Sequence, residues 1–163
     1  MTIIYRYTPI LLLMLFSFAG KTQTRLIDSL KQYIFQAKND EQKIEAIYTL
    51  CNEYRSINRD TLDYYTFLAR ELAAGTDSAR LKHMAEFAVA CDYARWGWID
   101  SAIYIIDPVI TANKVAHPEQ RDIYFKASRL KAMTYAGRTR FQDALSILYK
   151  IVNEAEVYKD SLT

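Results

Sequence analysis

Apolar residues in this chain recur three and four positions apart. Ile99, Ala102, Ile103, Ile106, Val109 and Ile110 form one such series, and Phe141, Ala144, Leu145, Leu148, Ile151 and Val152 form another with identical spacing. That spacing draws one stripe along a 3.6-residue helix and cannot line one face of a strand. The two series are 42 positions apart (99 to 141), and the segments before them superpose at the same shift. Leu81 falls on Ile123, Ala85 on Ala127, Ala88 on Leu130, Ala90 on Ala132, Cys91 on Met133, Tyr93 on Tyr135 and Ala94 on Ala136. Each unit therefore reads as a helix, a tight turn and a second helix, with Gly97 and Gly137 marking the turns. A degenerate earlier copy runs from Glu41 to Ala74, with Tyr54 ahead of Tyr93 and Leu62 ahead of Ile99 by slightly shorter shifts. Leu26, Ile27, Leu30, Tyr33, Ile34 and Ala37 add one more stripe, bounded by Asn39 and Asp40. Gly75 to Ser78 supply cap residues before the second unit, and Pro118 suits the first turn of the third. The pattern predicts an all-α fold of seven helices: a capping helix in 20–40, then a repeat domain over 41–163 with units near 41–75, 76–116 and 117–158.

Composition agrees with that reading. Among 163 residues there are 4 Gly and 3 Pro, too few to punctuate many short strands, while a 51% hydrophobic share suffices for a core. A formal charge of +2, from 21 Lys and Arg against 19 Asp and Glu, gives no bulk attraction to nucleic acid. The first residues change the picture more. Arg6, an apolar run from Ile10 to Phe16, and small residues at Ser17 and Ala19 read as a signal peptide over 1–19. The expected location is secreted or periplasmic, with membrane attachment only if that segment stays as an anchor. Cys51 and Cys91 fall inside helical apolar patterns, where packing explains them better than a disulfide.

A first helix carrying a small residue, Tyr three positions on, and Ala nine further resembles the tetratricopeptide repeat. Ala90, Tyr93 and Ala102 fit that pattern, as do Ala132, Tyr135 and Ala144. The resemblance covers residues 41–155, with a period near 40 rather than the usual 34. It implies a right-handed superhelix, an α-solenoid of about three hairpins, that binds a protein or peptide along the face of its first helices. On this chain that face is Tyr48, Asn52 and Arg55, then Phe87, Cys91 and Arg95, then Lys126, Arg129 and Met133. Four of these nine are Arg or Lys, which suits a carboxylate-bearing peptide. The arrangement is also similar to the extracytoplasmic front of bacterial sensor kinases and transcription regulators. That likeness rests on Ile27 to Leu30, Lys43 and Ile44, Tyr54 and Arg55, Asp60, and Tyr64 and Tyr65.

Catalytic chemistry finds no support in the pattern. His83 and His117 lack a companion HExxH or Cys cluster, and no nucleophile elbow or phosphate-cradling glycine loop occurs. No cofactor or metal is expected. Trp96 and Trp98, flanking Gly97, read as packing at a helix junction. The expected function is an exported scaffold for a protein or peptide, or alternatively the sensory input of a membrane signalling protein. The second helix of the last unit is apolar on a face that no later cap covers, which offers it to a partner, a further repeat or a second copy.

Overall fold

The computed structural model describes residues 25–53, 57–114 and 118–160. The segment read as a signal peptide, Arg55 and His117 lie outside them. Every element among the described residues is helical. α1 covers 25–36, α2 Asp40–Asn52, α3 Arg59–Ala74, α4 Ala79–Trp96, α5 Ile99–Asn113, α6 Pro118–Ala136 and α7 Phe141–Asp160. None of them is long and apolar enough to cross a membrane.

Side-chain caps start three of the helices. The side chains of Asn39, Asn58 and Ser78 accept from the backbone N–H of Gln42, Thr61 and Leu81, satisfying donors that the first turn leaves orphaned. α4 ends on Gly97, whose φ of 77° lies in the left-handed region. The Gly97 N–H donates to the Ala94 carbonyl and the Trp98 N–H to the Tyr93 carbonyl, the paired bonds of a Schellman turn. The same turn recurs 42 residues on, but not at Gly137. There Arg140 donates to Tyr135 and Thr139 to Ala136, and Thr139, with φ 59°, is the left-handed residue. Gly137 marks the neighbourhood of the turn, whereas its strained position belongs to a β-branched residue.

Helices adjacent in sequence pack on one another from α2 to α7, and α2 and α6 also pack on α4. α4 is thus surrounded by α2, α3, α5 and α6, and its residues from Met84 to Asp92 are buried apart from Glu86. Ala85, Ala88, Ala90 and Cys91 keep its girth small enough for four neighbours. The core continues through Ile44, Ile47 and Leu50 of α2, Leu62 and Ala69 of α3, Ile106 and Val109 of α5, and Ile123, Ala127 and Leu130 of α6. α1 docks on it through Ile27, Leu30 and Ile34, while Leu26 and Tyr33 of the predicted stripe stay about half exposed. At the other end α7 packs on α6 with Ala144, Ile147, Ile151 and Tyr158, and the Tyr124 hydroxyl donates to Glu154. The remainder of the α7 stripe is open: Phe141 is 59%, Leu145 50%, Leu148 37% and Val152 53% exposed.

Candidate functional site

Among the described residues, much of the face predicted for ligand binding comes together, but its side chains engage one another or neighbouring groups. Tyr48 and Phe87 are buried at 3% and 1% exposure and meet edge to face, so these two belong to the core and not to an open groove. The reason is direct packing of α2 on α4, which traps large rings between them. Cys91 is fully buried there as well. The Tyr48 hydroxyl donates to Asp122, which also takes Lys126 Nζ at 2.9 Å. Burial, with the Asp122 carboxylate adding to it, holds the Tyr48 phenol well above its ordinary range. Arg129 donates to the side-chain amide oxygen Oδ1 of Asn52 at 2.6 Å, and Arg95 donates to the Ile57 backbone carbonyl. The crevice left beside Asn52, Phe87, Lys126, Arg129 and Met133 holds about 10 Å³, no more than one water occupies.

An open concavity lies elsewhere, between α3, α4 and α5, with a volume of about 570 Å³. Ala73, Ala85, Val89 and Ile105 form its floor, and Tyr93, Tyr104 and Pro108 its wall. Small side chains at 73, 74 and 85 create the space. Pro108 sits inside α5 and has no N–H to give the Tyr104 carbonyl four residues back. Arg70 and Lys82 stand at the rim with Glu86. Both cations are exposed, and neither joins an ion pair among the described residues. The groove therefore pairs an apolar floor with a net positive rim, and Tyr104, 83% exposed, stands over it. Sequence reasoning missed these residues; the signal within reach was a proline inside an otherwise helical stripe.

A second polar cluster joins α3 to α4. Trp96 Nε1 donates to Asp63 at 3.2 Å and to Asp92 at 3.1 Å, and Arg59 lies over the Trp96 ring. Trp98 stacks on Trp96 and meets Tyr93 edge to face, so the two tryptophans pack at a helix junction while remaining partly exposed. Burial, followed by the neighbouring Asp63 carboxyl, pushes the Asp92 pKa up to about 7, against the opposing pull of Trp96 and Arg59. His83 engages Asn113 through Nδ1. Among the described residues no group of three or more His, Cys, Asp or Glu could hold a metal ion. Cys51 and Cys91 are free thiols, both buried, and burial raises both pKa values. Comparison with protein-family models, with curated proteins and with solved structures gives no match to this chain.

Proposed function

We propose that this chain is an exported, non-catalytic helical-repeat scaffold, a right-handed tetratricopeptide-like solenoid, that captures a carboxylate-bearing peptide segment of another protein. The occupied surface in this reading is the α3–α4–α5 groove rather than the first-helix face. The single observation that carries it is the union, in one open groove of about 570 Å³, of an apolar floor with two cations that lack ionic partners among the described residues. A volume in the range of ordinary ligand sites admits several side chains of an extended segment. Arg70 can fork onto a carboxylate, and Lys82 adds a second positive charge. The segment over 1–19 supports export, and the 42-residue repeat supports the solenoid.

Selection of a random peptide library on the immobilised chain tests the reading. The expected result is enrichment of peptides with Asp or Glu beside apolar residues, lost on an Arg70→Glu/Lys82→Glu variant of unchanged helicity. Enrichment that survives those substitutions, or no enrichment of acidic-apolar peptides, would overturn it.

A further inference from the structure

Beyond the groove the molecule carries the Asp63–Asp92 pair, the tryptophan ledge, the buried thiols and the bare face of α7. Only the last carries its own account of what would cover it. In α5, Ile99, Ile103, Ile106 and Ile110 are buried or half-buried, because α5 lies between α4 and α6. Their counterparts 42 residues on are Phe141, Leu145, Leu148 and Val152, which α6 leaves exposed by between 37% and 59%. The α5–α6 interface thus continues into α7 as half an interface. Its spacing of four, three and four residues is a heptad seam, the pattern on which two helices pack lengthwise.

From this we infer that α7 is a self-association surface, on which the α7 of a second copy of this chain lies antiparallel about a two-fold axis. The register follows from the stripe: Phe141 faces Val152 of the partner subunit, and Leu145 faces Leu148 of the partner subunit. Charge fixes the direction. Arg138 stands exposed in the turn just before α7, and Glu156 is exposed near the end of α7. Antiparallel pairing sets Arg138 beside the partner's Glu156 at both ends of the seam and opposes the helix dipoles, whereas parallel pairing would align like charges. A third observation argues against a further helix of the α6 kind. α6 is anchored to α5 by Lys131, whose Nζ lies 2.7 Å from Asp107. The α7 counterpart of Asp107 is Tyr149, so such a helix would find no carboxylate there.

Sedimentation of the full chain from low micromolar to hundreds of micromolar provides the test. A monomer–dimer equilibrium is expected, with Leu145→Asp/Leu148→Asp raising the dissociation constant by more than about tenfold through two buried carboxylates from each subunit, helicity unchanged. Arg138→Glu and Glu156→Arg should each weaken the dimer, and the double variant should regain affinity. A monomer throughout the range, or association indifferent to Leu145→Asp/Leu148→Asp, would overturn the proposal. Failure of the charge exchange to restore affinity would overturn the antiparallel register.

Discussion

Truncating two residues that share one repeat position measures how differently the fold treats them. Ile106 is 1% exposed on α5, and Leu148, 42 positions later on α7, is 37% exposed. Ile106→Ala removes three buried carbons, worth about 2.4 kcal/mol at ~0.8 kcal/mol each. A partly relaxed cavity adds roughly 1 kcal/mol, and the better helix propensity of Ala returns about 0.4 kcal/mol. The net cost is about 3 kcal/mol, which at this chain length corresponds to a Tm roughly 10 °C lower. Leu148→Ala loses only partly buried carbons and leaves no enclosed void, so the expected cost is about 1 kcal/mol or less. Urea unfolding followed by circular dichroism, at the lowest workable protein concentration, reads both. Equal costs, or a larger cost at Leu148 in dilute solution, would refute the argument from burial. At high concentration the Leu148→Ala penalty should grow, because the same side chain then lies in the dimer seam.

Thr139→Gly should stabilise the chain by about 1 kcal/mol, by removing a β-branched residue from the left-handed region. Gly97→Ala should cost a similar amount, about 1 kcal/mol; an added Cβ there meets nothing within 4 Å, so the penalty is wholly backbone, and paired thermal melts check both signs. Asp92 binds its proton more tightly folded than unfolded, so its stabilising contribution is complete below its ordinary value of 3.8 and is lost as pH rises through about 7. Melts of wild type and Asp92→Asn across that window should show the wild type losing stability relative to the variant, and parallel curves would contradict the assignment. Both thiols should resist a water-soluble disulfide reagent in the native chain and titrate as two equivalents after denaturation without reductant; a missing thiol would indicate oxidation.

Much of the fold was legible because local signals agreed with one another. The apolar stripes located the helices, and Ser78 stood among the cap residues read before the second unit, as the structure finds it. The second turn fell where Gly137 marked it, directly after α6 ends at Ala136, but nothing in the sequence says that Thr139 is the residue that takes the left-handed conformation there. The binding face was less legible. Tyr48 and Phe87 were assigned from a family resemblance, yet whether a ring lines a groove or fills it depends on how closely α2 and α4 approach. Asn52, Lys126 and Arg129 do gather, but a sequence does not show that their polar groups engage neighbours rather than a ligand. The α3–α4–α5 groove depends on small residues on two helices facing a proline on a third, a three-element coincidence without local period.

The most direct test of the account is a hydrogen-exchange footprint of the chain with an acidic-apolar peptide obtained by the library selection. The account predicts added protection in segments around Arg70 to Tyr93 and Tyr104 to Pro108, weakening as salt screens the rim cations. Residues 48–52 and 126–133 should be unchanged. Protection confined to those α2 and α6 segments, with the groove silent, would contradict it and return the binding site to the first-helix face.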